Sequence, residues 1–414
     1  MDNITHTLIG VLAGEACAVR KPAASSGLSS HQRRNLYVTL MGVGSNLPDL
    51  DFLYSTITGS KLDYLLHHRG HTHTLVGIVA IALLLGLAAE WWIRRRAPSV
   101  TRSDRLGAWF VALLAPTLHI AMDAANNYGV HPWWPINAEW FYGDSIFIIE
   151  PLFWAACAPL VFLLRTPAAR ISVALVLVAG VALAIFTGMV SIASTLAYVV
   201  LAAALGRAGW KLNRATAITA GIALWLTVTL VFSLTSNHMR QGAERLSRDN
   251  FPNATTLDQV FTPMPVNPLC WELILVQREQ DSIVLRRAMM SAVPSLISAK
   301  QCPGRSLDIP ITAPLSAVPL ADTDQVKWQG QITSPIERLL LLWQERCQVD
   351  ALMRFVRAPW LSRIDDALVI GDLRYDREAE LGFAEIEVEP AAEACVEHIP
   401  SWSPPRNDLR TAFP

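Results

Sequence analysis

Residues able to bind a metal ion recur at short spacings in the first part of the chain. His6 lies in DNITHTLIG, and Asp49 and Asp51 in GSNLPDLDF. His67, His68, His71 and His73 surround Arg69 in HHRGHTHT, and His119 and Asp123 fall in LHIAMDAANNYG. Neutral imidazole and carboxylate are both zinc ligands, and a mixed nitrogen–oxygen set also suits manganese or iron. His119 and Asp123 are four apart, so on a helix they share a face and can grip one ion. Pro48 marks a helix break from which one or both following carboxylates can turn inward. The candidate ligands of a divalent metal are therefore His6, Asp49, His68, His73, His119 and Asp123. Arg69, Asp51 and His71 are the candidate catalytic residues. Arg69 cannot ligate, but its planar guanidinium can hold a phosphate or carboxylate through two hydrogen bonds. Asp51 can serve as a base or a further ligand, and His71, with His67, either supports the ligands from outside the set or is simply a wet interfacial group. The candidates exceed one tetrahedral site, so they imply either two metals or a supporting shell around one.

These residues need elements to position them, and the composition says which. The chain has 414 residues, formal net charge -1, 52% hydrophobic and 17% charged residues, and mean hydropathy +0.32. Average soluble domains hold about 45–50% apolar and about 25% charged residues. The apolar excess lies in the first 235 positions and points to a membrane protein. Near-neutral charge and the lack of a basic domain argue against nucleic acid as a partner. The opening MDNITHTLIGVLAGEACAVRK has its charges after the apolar stretch, so insertion and retention are expected rather than cleavage.

Spans are expected at Thr74–Ile93, Leu106–Ala125, Ile146–Leu164, Ile171–Phe186, Ser191–Leu205 and Ala215–Leu234, with two weaker ones at Thr5–Val19 and Leu36–Tyr54. Basic residues mark four loops: Arg20, Lys21, Arg33 and Arg34; then Arg94, Arg95, Arg96, Arg102 and Arg105; then Arg165 and Arg170; then Arg207, Lys211 and Arg214. Placing all four inside gives about eight spans, some short or re-entrant, with the N-terminus outside. That topology brings His6, Asp49, Asp51, His68, His73, His119 and Asp123 to the outer ends of their segments, where they can converge. Ionisable groups at membrane depth are costly unless paired or ligated, which makes them functional candidates.

The expected architecture is an α-helical polytopic membrane domain over residues 1–235, followed by a soluble α+β domain over 236–414. WELILVQRE, DSIVLRRA and DDALVIGDLRY alternate as strands do, and ERLLLLWQERCQVDALMRFVRA repeats at helical spacing. The topology puts this second domain on the periplasmic or extracellular side of a bacterial inner (cell) membrane. Its cysteines, Cys270, Cys302, Cys347 and Cys395, permit disulfides there in three pairings, and spacing does not choose among them.

Four ordered motifs resemble those of a bacterial family of membrane-bound metal-dependent hydrolases that includes the YdjM-like inner-membrane proteins. Asp2, Thr5, His6 and Gly10 carry the first, and Pro48, Asp49 and Asp51 the second. His68, Arg69, Thr72 and His73 carry the third, with Thr74 where serine is usual, and His119 and Asp123 the fourth. The resemblance covers roughly residues 1–165 and implies a metal site in the membrane domain. The His-x-x-x-Asp spacing is also similar to that of zinc-dependent phospholipases C and related nucleases. The expected activity is hydrolysis of a phosphoester or other ester by metal-activated water, with zinc as the first choice of metal. A site at the outer membrane boundary favours a membrane lipid or lipid-linked substrate. A metal-braced scaffold and an ion transporter are the alternatives, and the scarcity of ionisable residues in the spans after residue 150 speaks against a path through the bilayer.

Overall fold

The protein is described by a computed structural model that covers residues 1–19, 27–59, 61–97, 99–303, 311–388 and 395–411. Arg20 and Lys21 of the first basic loop lie outside the described residues. The helices of the first two-thirds are α1 (Asn3–Val19), α2 (Ser30–Gly44), α3 (Phe52–Thr58), α4 (Lys61–His67), α5 (Leu75–Arg96), α6 (Arg102–Asp123), α7 (Pro151–Ala156), α8 (Leu160–Leu163), α9 (Pro167–Thr187), α10 (Ile192–Lys211) and α11 (Arg214–Asn250). Among the described residues, five of these are long and apolar enough to cross a membrane: α5, α6, α9, α10 and α11. α1 and the α7–α8 stretch are shorter apolar segments.

Two compact units divide the chain. The first comprises Met1–Leu50, Arg69–Trp134 and Ile146–Val231. The second comprises Asp51–His68, Pro135–Ser145 and Phe232–Pro414. HHRGHTHT is therefore shared, its first two histidines belonging to the second unit and the rest to the first.

In the first unit α1, α2, α5 and α6 pack on one another. Their shared core includes Leu40, Met41, Leu85, Ala89, Val111, Ala112 and Ala115. Gly10 lets α1 lie directly on α2, because a Cβ there would come 2.6 Å from Ser45 Oγ and 2.8 Å from the Met41 carbonyl. Small residues at such crossings let helix backbones approach closely in a membrane. α9 and α10 keep most of their apolar side chains exposed, the composition of a lipid-facing surface.

Several boundaries differ from the hydropathy reading, each for a local reason. Ile146–Leu164 is two short helices, since Pro159 lacks the N–H that a continuous helix needs. α2 begins earlier, at Ser30, where Ser29 and Gln32 form a capping box, and it stops before Pro48. α9 and α10 are full-length helices of 21 and 20 residues rather than short spans. α11 runs on to Asn250 because the polar sequence after Leu234 is still helix-forming.

In the second unit β1 (Thr255–Met264), β2 (Asn267–Glu279), β3 (Ser282–Ser291) and β4 (Val326–Pro335) form an antiparallel sheet in chain order. β5 (Pro359–Ile364), β6 (Ala367–Asp372) and β7 (Glu385–Glu387) form a second. Between them lie α12 (Ile336–Glu345) and α13 (Cys347–Met353), and α14 (Asn407–Thr411) follows. The expected single helix is thus broken at Arg346, whose backbone is extended. Disulfides join Cys270 to Cys302 and Cys347 to Cys395. Trp271, Trp343, Trp360 and Trp402 are fully buried core residues.

Candidate metal centre

Local sequence aims each donor of the first unit. α2 ends at Gly44, and a 3₁₀ turn over Pro48–Asp51 buries Asp49. A second 3₁₀ turn over His71–His73 leads into α5, whose N-cap is Thr74. The Thr74 hydroxyl accepts from the Gly77 N–H (3.0 Å) and donates to the His71 carbonyl (2.8 Å), which folds the turn back over the helix start. A Cβ on Gly77 would stand 2.5 Å from the Thr72 carbonyl, so only glycine fits beneath that turn. His119 and Asp123 project from the last turn of α6.

These pieces bring four ligand atoms together, one each from Asp49, His73, His119 and Asp123, all within 4.8 Å of one another. Asp49 is 4% exposed and the other three are 0% exposed. The His73 and His119 Nε2 atoms are 3.0 Å apart. His73 Nε2 lies 3.3 Å from Asp49 Oδ1 and 3.2 Å from Asp123 Oδ2. His119 Nε2 lies 3.4 and 3.3 Å from the same two oxygens. Donors held at about 2.0–2.1 Å from one ion in a tetrahedron stand about 3.3 Å apart. The separations therefore fit a small divalent cation.

The hydrogen bonding fits as well. His119 Nδ1 donates to the Ser45 carbonyl at 2.7 Å, which leaves the Nε2 lone pair of the neutral ring turned inward. His73 Nδ1 is 3.0 Å from the Thr72 hydroxyl. Among the described residues, Asp49 Oδ1 and Asp123 Oδ2 are buried and face no donor other than the two imidazole nitrogens. Two inward imidazole nitrogens and two unmatched carboxylate oxygens form a site that a dication would satisfy and that is costly without one.

The remaining expected residues occupy different places. His6 is buried beside the four donors, its ring stacked on His119 at 3.7 Å, and its Nε2 faces Asp123 Oδ1 at 3.1 Å. Arg69 is 1% exposed, and its Nη2 meets Asp123 Oδ1 at 3.0 Å. Its Nη1 donates to Asn126 Oδ1 at 2.9 Å, and the guanidinium covers the Tyr128 ring at 4.7 Å. Arg69 also holds φ +58°, a left-handed conformation costing about 1–3 kcal/mol for a side-chain-bearing residue. Strain of this kind persists only where the surrounding contacts impose it. His71 is exposed, edge-on to Trp134 at 4.6 Å.

Asp51 and His68 belong to the second unit, where His68 Nδ1 meets Asp51 Oδ1 at 3.0 Å and Tyr64 stacks on His68. His67 there reaches the His398 carbonyl at 3.1 Å. Asp144 is held in the same unit by Arg357 and Arg240. In the first unit Glu150 caps α7 through the Leu152 N–H. His131 is buried in the loop after α6, and burial pushes its imidazole down to about 3, so it is neutral at neutral pH. Sequence reasoning missed Asn126, although its place three residues after Asp123 on the same turn was a usable signal. It also missed Glu15, buried on α1 and ion-paired with Arg34 and Arg214.

Comparison with known proteins agrees with this picture in the first half of the chain. Residues 1–193 match the family described as YdjM inner membrane protein. The chain is 25% identical over 151 residues to the uncharacterized protein YfhP of Bacillus subtilis (strain 168). That alignment covers 36% of this chain and 42% of the relative. No solved structure matches. With five helices of spanning length and this similarity, the chain is a multi-pass inner-membrane protein. The two disulfides of the second unit are consistent with a periplasmic or extracellular location for it.

Proposed function

We propose that the membrane unit is a metal-dependent hydrolase acting on a phosphoester or other ester of a lipid or lipid-linked substrate. The observation that carries this reading is the buried set Asp49, His73, His119 and Asp123, with two carboxylate oxygens left unmatched. These residues would hold one divalent ion, zinc first by donor set and spacing, with manganese or iron as alternatives. Such an ion, when bound, supplies a water of lowered pKa and neutralises charge on the group attacked. The chain's own contribution is orientation. The Ser45 carbonyl fixes the His119 ring, Thr72 abuts His73, and the α5 N-cap holds the turn that carries His73. Carboxylates in place of thiolates separate this set from the usual closed structural zinc sites. Lipid substrates are favoured by the placement of the centre in a helical membrane unit. Asp51 and His68 enter the reading through their sequence motifs, His71 through its place between the motif residues Arg69 and Thr72, and Arg69 through its contact with Asp123.

A second reading also has an observation behind it. Four protein donors saturate a tetrahedral ion, as in structural sites, and a metal brace for α1, α2, α5 and α6 would need no turnover. Elemental analysis of detergent-purified protein beside a panel of lipid phosphoesters separates the two. The hydrolase predicts about one ion per chain, turnover lost on chelation, and neither ion nor turnover in His119→Ala. It further predicts that Asp51→Asn and His71→Ala keep the ion while losing turnover. An ion without turnover supports the brace, and a wild-type protein that binds no ion removes both.

A further inference from the structure

The two oxygens of Asp123 face different surroundings. Oδ2 is the unmatched atom, 3.2 and 3.3 Å from the His73 and His119 nitrogens. Oδ1 meets His6 Nε2 at 3.1 Å, Arg69 Nη2 at 3.0 Å and the Met1 amino group. Arg69 is in turn gripped by Asn126, whose Oδ1 accepts both Arg69 Nη1 and the Tyr128 N–H, each at 2.9 Å. Asn126 is 1% exposed and lies three residues past the end of α6. One amide oxygen thus ties the turn after α6 to the guanidinium that fixes the last carboxylate of α6.

We propose that His6, Arg69 and Asn126 are positioning residues that reserve Asp123 Oδ1 for protein contacts and leave Oδ2 alone to the cation. This rests on the metal reading given above and adds to it that Asp123 binds through one oxygen and that His6 is not a ligand. A carboxylate released from such a clamp can rotate and offer both oxygens, which raises the coordination number. Groups that orient metal ligands from behind commonly contribute 10–100-fold to metal affinity. Asn126 has this position although no motif includes it.

The test uses the full-length protein in detergent, loaded with cobalt(II) or zinc and titrated against a chromogenic chelator. Asn126→Ala is expected to bind the same number of ions with affinity lowered about 10–100-fold, and with weaker cobalt visible bands as the second Asp123 oxygen adds to the coordination. Asn126→Asp keeps an acceptor for Arg69 and the Tyr128 N–H, so it is expected to recover affinity and spectrum. His6→Ala should keep the ion at reduced affinity, whereas His119→Ala should lose it. Wild-type affinity in Asn126→Ala, or no recovery in Asn126→Asp, overturns the clamp. Loss of the ion in His6→Ala, to the level of His119→Ala, shows His6 to be a ligand and also overturns it. Failure of the wild-type protein to bind either metal is a failure of the metal reading itself.

Discussion

Within the centre, identical residue types carry different roles because their neighbours differ. His119 turns a bare nitrogen inward because its other ring nitrogen donates to the Ser45 carbonyl, and His73 faces it with Nδ1 against the Thr72 hydroxyl, whereas His71, two positions from His73, is exposed. The same dependence on neighbours governs Glu385 in the second unit. It is buried, accepts the Gly382 N–H at 2.8 Å, and lies near Asp376 and Lys61. Burial, reinforced by Asp376, pushes its carboxyl up to about 7 from an ordinary 4.5. A carboxyl raised in the folded state stabilises the fold fully below pH 4.5, and that contribution is lost as pH rises through about 7. Glu385→Gln should therefore flatten the fall of the thermal midpoint between pH 5 and 8, roughly the window set by this linkage. Parallel midpoint curves for variant and wild type would rule the assignment out.

Helices enter the chemistry through their ends and their crossings. α6 supplies two donors from its last turn, and α5 is entered through the turn that carries a third. The α1–α2 crossing holds His6 near its place and keeps Ser45 beneath His119. Gly10→Leu must push α1 from the Ser45 and Met41 atoms that a Cβ would strike. Overpacking of this sort costs about 1–3 kcal/mol. The expected result is a lower unfolding midpoint together with weakened metal binding, because the Ser45 carbonyl that orients His119 is displaced. Unaltered metal affinity at a lowered midpoint would separate the crossing from the centre. Helix periodicity made α5 and α6 legible from sequence. The breaks at Pro159 and Arg346 were not legible from apolar spacing, because a hydrophobic run does not report where its backbone hydrogen bonds fail.

On the scale of the whole molecule, the chain combines a polytopic helical unit with an α+β unit that is cross-linked twice. The disulfides close loops of 32 and 48 residues by sequence separation. Cross-links over such loops stabilise by about 2–4 kcal/mol each in the chain-entropy account. Reduction should lower the denaturation midpoint of the second unit, followed by its buried tryptophans, while leaving metal content unchanged. Loss of metal on reduction would show that the two units are thermodynamically coupled.

Composition and periodicity by themselves determined that this is a membrane protein with a distinct C-terminal α+β region, and ordered motifs picked out the residues capable of binding metal. They did so because burial in lipid demands long apolar helices, and because ionisable groups are rare enough there to stand out. Sequence could not say that PDLD sends one carboxylate into the centre and the other to His68. That depends on the exact pitch of a four-residue 3₁₀ turn. Nor could it separate the histidines of HHRGHTHT, since adjacent residues on a turn point to different neighbours. The pairing of the cysteines, the grip of Arg69 on Asp123 and the part of Asn126 likewise came only from the tertiary structure. Each is a contact between residues far apart in the chain, selected by distance and direction in space.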